Sequence, residues 1–170
     1  MNIYTIGHST RTIDEFIDIL TQNNIKYVVD VRSYPGSSKY PQFNKEVLKN
    51  SLAKHGIKYK HIIDLGGRRN FKTTIHTSIH EKAFASYAEY MMTKDFKIGL
   101  AELKKIAKKY KTVFMCSEAV YWRCHRRMIS DRLEFDGWHV YHLGITKEPM
   151  RHKVWNIVRL NKENELIYDQ

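Results

Sequence analysis

Residues 27–32 read YVVDVR, and the reading of that run decides the fold. Tyr27–Val31 is a β-branched, mostly apolar strand of the kind buried on both faces of a parallel sheet. Its neighbours alternate in type. Upstream, Asn2–Gly7 reads as a strand ending in glycine. Thr12 and Glu15 then form a capping box, which starts a helix with Ile13, Phe16, Ile17 and Leu20 inward. That helix stops near Asn23–Asn24. Downstream, residues 33–43 (SYPGSSKYPQF) form a loop broken by Pro35, Gly36 and Pro41. Asn44 is the expected N-cap of a helix over Lys45–His55, closed by Gly56. Ile57–Ile63 reads as a third strand, leading into Leu65-Gly66-Gly67-Arg68-Arg69. Asn70–Ser78 has no clear period and reads as a loop.

The second half repeats the alternation. Helices are expected over Glu81–Met92 and Asp95–Tyr110, a strand over Thr112–Cys116, a helix over Trp122–Asp136 closed by Gly137, and a strand over Trp138–Leu143. The tail reads as two short strands about an Asn161–Asn164 turn. Parallel strands need a crossover between them, and helices supply it. The expected fold class is α/β: a single domain over residues 1–170, with a mostly parallel sheet flanked by helices in three layers, Rossmann-like or rhodanese-like.

Composition agrees with a folded domain. The 170 residues are 42% hydrophobic and 12% aromatic, with only three prolines and eight glycines, which argues against disorder and linkers. No stretch reaches the length of a membrane-spanning helix, and MNIYTIGHST is too short and polar for a signal peptide. A cytoplasmic location is expected, with no membrane partner. Two cysteines, Cys116 and Cys124, make no disulfide framework. Lys and Arg total 29 against 18 Asp and Glu, a formal charge of +11. That excess suits a nucleic acid or nucleotide partner, although lysine-rich helices such as LAELKKIAKKYK also read as ordinary solvated faces. The charge says nothing of oligomeric state.

In open α/β sheets, sites lie outside the carboxyl ends of the strands. The first strand delivers His8 and Ser9 there. The second delivers Asp30 and Arg32, and the third His61 with Arg68 and Arg69 beyond. The fourth delivers Cys116 and Glu118, and the fifth His142. The discriminating geometry is whether Cys116, Glu118, Arg123, His8 and Asp30 surround one pocket.

The most function-like segment is CSEAVYWRCHR, Cys116–Arg126. A strand delivers a Cys, a short loop follows, and then come an Arg, Arg123, and a helix. A thiol beside a helix N-terminus and an Arg has a lowered pKa. Arg123 can fork onto an anion, and His125 can act as acid or base. Rhodanese-like domains and cysteine phosphatases share the strand–Cys–loop–Arg order, but their cradles are small and glycine-rich. Here Glu118, Val120, Tyr121 and Trp122 fill the loop. Cys116 therefore has two readings, a reactive thiol or a small core residue ending a strand. Cys124 reads as a packing residue, and a Cys116–Cys124 redox pair lacks the compact Cys-x-x-Cys spacing.

Other chemistries have thinner support. Glu118 and Asp30 with a nearby His suit general acid–base work, against which Asp30 also fits a structural ion pair with Arg32 or Arg123. His8, Cys116, Cys124, His125 and His142 lack the closely spaced pairs of a zinc site, so no metal and no cofactor is expected. His55, His76, His80 and His152 read as surface residues. Tyr34, Lys39, Tyr40, Gln42 and Phe43, then Arg68, Arg69, Phe71 and Lys72, interleave aromatic and basic groups that could stack on bases and hold phosphates, or simply pack their loops onto the domain.

Taken together, IYTIGHS, VVDVR, PQFN, LGGRR, the Tyr-Ala-x-Tyr-Met helix and MCSEAVYWRCHR resemble the domain-of-unknown-function family DUF488, from Ile3 to about Leu143. The resemblance implies a compact α/β protein of prokaryotic type. It marks Gly7, His8, Asp30, Arg32, Pro41, Phe43, Asn44, Gly66, Gly67, Cys116, Glu118, Arg123, Cys124, His125 and Arg126, and implies no activity. Residues 150–170 form a C-terminal extension outside it.

The expectation is an enzyme acting on a nucleotide, nucleic acid or other phosphorylated substrate at the carboxyl edge. Cys116, Glu118, His125, His8 and Asp30 are the candidate catalytic residues. Arg32, Arg123, Arg126, Arg68, Arg69, Asn44 and Ser9 are the candidates for anion or substrate binding. The alternatives are a non-catalytic nucleic-acid-binding module and a metal-binding protein.

Overall fold

A computed structural model describes residues 1–170. Its six-stranded sheet runs in the order β3-β2-β4-β1-β5-β6. Strands β1 (Asn2–Gly7), β2 (Tyr27–Asp30), β3 (Lys58–His61), β4 (Thr112–Cys116) and β5 (His139–His142) are parallel. An antiparallel edge strand, β6 (Met150–Arg151), which the sequence pattern did not announce, joins β5. The central strands are buried on both faces. Val28, Val29, Val113 and Phe114 are all solvent-free, as their β-branched and aromatic composition requires.

Helices cover each face. Helices α1 (Ile13–Gln22) and α2 (Lys45–Ala53) bury Phe16, Leu20, Leu48 and Leu52 against one side. Thr12 and Glu15 do form the reciprocal capping box at the start of α1. Helices α3 (Lys82–Tyr90), α4 (Lys94–Lys109) and α5 (Arg126–Phe135) bury Tyr87, Phe96, Leu103, Ile129 and Leu133 on the other. A β7–β8 hairpin (Arg159–Leu160, Leu166–Ile167) closes the tail and delivers Leu166 and Tyr168 to that second core. The chain is thus a single three-layer α/β domain.

Three expectations are corrected. The last long helix begins at Arg126, not Trp122: a 3-10 turn occupies Tyr121–Arg123, and Cys124 is extended with φ −145°. Asn44 does sit at the N-cap of α2, but its side chain makes no cap; Oδ1 instead accepts from the Ser37 amide at 2.6 Å. His76 and His152 are not surface residues, with exposures of 2% and 5%. His76 Nδ1 accepts the Tyr168 amide at 3.2 Å, and His152 pairs with Asp131.

The topology fixes where a site can form. β1 and β4 are neighbours in the sheet, yet α1 follows β1 on one face and α5 follows β4 on the other. The chains diverge there, opening a crevice at the carboxyl edge.

Candidate functional site

A cleft of about 650 Å³ opens at that divergence. The ladder between β1 and β4 runs on into it: the His8 amide donates to the Cys116 carbonyl and the Ser9 amide to the Ser117 carbonyl, both at 2.9 Å. Ser9 adopts φ +50°, a left-handed conformation that a serine holds only under constraint.

At the floor lie two sulfurs. Cys116 Sγ and Cys124 Sγ are 3.1 Å apart, and the two residues are only 3% and 7% exposed. Beside them sits Arg126, wholly buried. Its Nε donates to Cys116 Sγ at 3.0 Å and to Cys124 Sγ at 3.4 Å, and its own amide donates to Cys124 Sγ at 3.3 Å. Nη1 donates to Thr5 Oγ1 and Nη2 to the Glu118 carbonyl, each at 2.8 Å. No carboxylate pairs with this guanidinium. Burial opposes a thiolate at Cys124, but the hydrogen bond from Cys116 and the charge of Arg126 outweigh it and hold Cys124 well below the usual thiol value. Burial pushes the Cys116 thiol well up, and its hydrogen bond to Cys124 pushes it further. The 3.1 Å contact between the sulfurs couples the two thiols, and Arg126 donates to both.

Local backbone explains how the arginine reaches the sulfurs. A Cβ on Gly7 would lie 1.5 Å from the Glu118 carbonyl oxygen. Only glycine lets that carbonyl come in to accept Arg126 Nη2. The extended Cys124 just before α5 turns its sulfur back toward the end of β4, instead of onto the helix surface.

Two histidines flank the sulfurs. His125 donates from Nε2 to the Val31 carbonyl at 2.8 Å, which leaves Nδ1 as its free acceptor. Gly67 packs onto that ring so closely that a Cβ would come within 2.5 Å of Nδ1. His8 donates from Nδ1 to the Ser9 carbonyl at 2.9 Å and stacks on Phe43 with centroids 4.4 Å apart. Burial lowers both pKa values, so both rings are neutral bases near pH 7.

Cys116, Glu118, His125, His8, Arg32, Arg68 and Ser9 all line the cleft. Asp30 does not. It is solvent-free, with Oδ1 held by the amide and Nε of Arg32 and Oδ2 by Arg32 Nη2 and Tyr59 Oη. Its carboxylate is fully occupied as one half of an ion pair that pins the loop after β2. Arg123 points out of the 3-10 turn into solvent, away from the lining. Arg69 is spent on the carbonyls of Gly66 and Ile63 and on the Tyr90 ring, 3.8 Å from its centroid. Arg126 faces the sulfurs, not the open cleft, and Asn44 braces Ser37 beside it.

A family model described as a domain of unknown function, DUF488, matches residues 12–133. The chain belongs to this family. The matched DUF488 segment includes both cysteines, His125 and Arg126 but ends before His142 and His152. No curated protein and no solved structure matches the chain.

The sequence reading placed His142 at the carboxyl edge but missed the chain of partners that links it to Arg126. Thr5, His142, His152 and Asp131 are each buried and scattered over 148 positions, so no local motif joins them. A further signal was the threonine lying between the buried Ile3 and Ile6 of β1. The structure brings together no group of three or more His, Cys, Asp or Glu side chains fit to hold a metal, and no helix is long and apolar enough to cross a membrane.

Proposed function

We propose that this DUF488 chain is a cysteine-dependent enzyme acting on a nucleotide or other phosphorylated substrate, with Cys124 as thiolate nucleophile and Cys116 as its proton partner. One observation carries the reading: Arg126 is fully buried, donates to both sulfurs and has no carboxylate counter-ion. A buried cation without an anion costs several kcal/mol, and the sulfur pair is the only anion within contact.

The cleft suits such a substrate. Its volume falls in the range of small-molecule sites. At the rim, the exposed Arg68 guanidinium lies 5.4 Å from the Tyr34 ring centroid, and Lys39 Nζ lies 5.5 Å from that of Tyr40. Cations beside aromatic faces can hold phosphate and base together, and Ser9, Ser33 and Ser37 add polar groups.

Cys124 Sγ attacks the electrophilic phosphorus or carbon, forming the S–P or S–C bond as the bond to the leaving oxygen breaks. The charge on Cys124 is thereby lost. Arg126 then favours a thiolate on Cys116, whose proton passes to the leaving group. Water attacks next, giving a proton to the Nε2 of His8; the bond to sulfur breaks, the Cys124 thiolate returns, and the proton passes from His8 to the Cys116 thiolate, which restores the starting pair.

The test is alkylation with iodoacetamide, followed by mass spectrometry over about pH 4 to 9, together with turnover assays on a panel of phosphorylated compounds. One sulfur should react with a midpoint below the ordinary thiol value of about 8.5, and Cys124→Ser should abolish turnover in a protein that still folds but melts at a lower Tm, because it removes the anion paired with Arg126. An ordinary midpoint, or full turnover by Cys124→Ser, sinks the reading.

A separate observation favours nucleic-acid binding as a second reading. Lys26, Lys58 and Lys111 sit side by side at the amino edge of the sheet, joined by Lys26 N to Lys111 O at 2.8 Å and Lys58 N to Lys26 O at 3.0 Å. All three are exposed and none pairs with a carboxylate. Tyr4 and Tyr110 lie beneath Lys111 and Lys58. Exchanging the three lysines for Glu should abolish salt-sensitive binding of a labelled single-stranded oligonucleotide. Unchanged binding, or none at low salt, removes this reading.

A further inference from the structure

A chain of buried polar groups starts at Arg126 and leaves the cleft altogether. Arg126 Nη1 lies 2.8 Å from Thr5 Oγ1, which lies 2.6 Å from His142 Nδ1. His142 Nε2 lies 2.8 Å from His152 Nδ1, and His152 Nε2 lies 2.7 Å from Asp131 Oδ1. Asp131 also accepts the Trp155 amide at 3.2 Å and the Tyr168 hydroxyl at 2.9 Å. Thr5, Asp131 and His142 are solvent-free, and His152 is 5% exposed.

The direction of every bond in this chain is forced by its ends. An arginine only donates and a carboxylate only accepts. Arg126 gives a hydrogen to Thr5, whose own hydroxyl hydrogen is left for His142 Nδ1. His142 must then carry its proton on Nε2, give it to His152 Nδ1, and leave His152 Nε2–H for Asp131. Every atom is satisfied with both imidazoles neutral. A second proton on His152 would put two donors on Thr5 and leave the threonine hydrogen without an acceptor. The Tyr121 ring stacks on His142 at 3.8 Å with an interplanar angle of 6° and so fixes the imidazole plane.

We infer that Asp131, His152, His142 and Thr5 form a buried positioning chain that fixes the Arg126 guanidinium against the two sulfurs, so that His152, in the C-terminal extension, helps set the reactivity of the sulfur pair. This rests on the thiolate reading above. The four are positioning residues, since none touches the cleft. The geometry behind the inference is that each of the three guanidinium nitrogens of Arg126 is committed to a different set of partners. The sulfurs take one, the Glu118 carbonyl takes a second, and the chain takes the third. With the third gone, the guanidinium can rotate off the sulfurs.

The test compares Thr5→Val with Thr5→Ser in the full chain. Valine keeps the volume and removes the hydroxyl; serine keeps the hydroxyl. Iodoacetamide alkylation of Cys124 is followed against pH. Thr5→Val should slow alkylation at pH 7 about tenfold, the effect of one hydrogen bond to a charged group, and raise its midpoint. Thr5→Ser should restore both. A Thr5→Val profile that superimposes on a low wild-type midpoint overturns the positioning chain and leaves the thiolate reading intact. An ordinary midpoint in the wild type overturns both.

A second measurement needs no variant. The imidazole ¹⁵N shifts of His142 and His152 at neutral pH should show both rings neutral with the proton on Nε2. A proton on Nδ1 of either ring breaks the chain's direction and overturns the inference.

Discussion

A guanidinium shut away from water and offered no carboxylate needs an anion from elsewhere, and at Arg126 only sulfur is in reach. Lysine cannot replace it, because one ammonium cannot serve the sulfurs, Thr5 and the Glu118 carbonyl in a single plane. Arg126→Lys should lower stability by about 3 kcal/mol, the scale of breaking a buried ion pair, measured by urea denaturation, and should slow alkylation at neutral pH. A loss under about 0.5 kcal/mol, the range of ordinary surface changes, would mean that the arginine is not pinned as described. The 3.1 Å sulfur contact gives a second prediction. Hydrogen peroxide should oxidise the Cys124 thiolate to a sulfenic acid. Cys116 then attacks that sulfur and releases water, leaving a disulfide. Mass spectrometry should find the intact chain lighter by two hydrogens, and Cys116→Ser should stop at the sulfenic acid. Persistence of both thiols under conditions that oxidise ordinary reactive cysteines would contradict it.

The turn between β4 and α5 is where local sequence and final structure part company. Strand and helix limits elsewhere follow from periodicity and caps: β1 and β4 lie where the apolar runs place them, and Thr12–Glu15 opens α1. Trp122 to Asp136 also has helical spacing, but a tertiary demand overrides it. Cys124 must stay extended for its sulfur to meet Cys116, so the helix waits until Arg126. The cleft walls were legible because strand ends are, which is how His8, Cys116 and Glu118 could be expected together. What was not legible was direction. Sequence places Arg123 and Arg126 near the site alike, while the 3-10 turn throws one into solvent and the helix start drives the other beneath the sulfurs. Likewise Asp30 has the residue type of a catalyst, and its occupation by Arg32 and Tyr59 depends on contacts the chain order does not reveal. Gly7, the last residue of β1, packs against this turn. Gly7→Ala would drive a methyl into the Glu118 carbonyl, so the loop after β4 must move and release Arg126 Nη2. The expected result is a folded but destabilised protein, by roughly 2 kcal/mol on the overpacking scale, with an ordinary thiol midpoint. A midpoint equal to that of the wild type would show that this approach is not what holds the guanidinium.

At the scale of the whole molecule, the three-layer fold buries histidines from four separate segments of the chain, and this gives the protein a pH signature. Burial lowers the pKa of His8, His76, His125 and His142, and His142 is pushed down to about 2. In the unfolded chain each titrates near 6.5. Above that value neither state holds an extra proton, and these groups leave stability unchanged. Below it the unfolded chain takes up protons that the folded chain refuses, so stability falls as pH falls. For His142, whose folded value lies far below, the loss is about 1.4 kcal/mol per pH unit over most of the range from 6.5 downward. The other three steepen the upper part of the decline. Their combined effect begins well above the pH at which exposed carboxylates start to protonate, near 4. Urea denaturation at a series of pH values should therefore give a flat stability above about pH 7 and a marked decline by pH 5. The same series tests the polarity of the positioning chain, because a His142 that accepted a proton in the folded state could no longer accept the Thr5 hydroxyl. A stability that stays level from pH 7.5 to 5 would mean that these imidazoles protonate in place, and the neutral, directed chain from Asp131 to Arg126 would have to be abandoned.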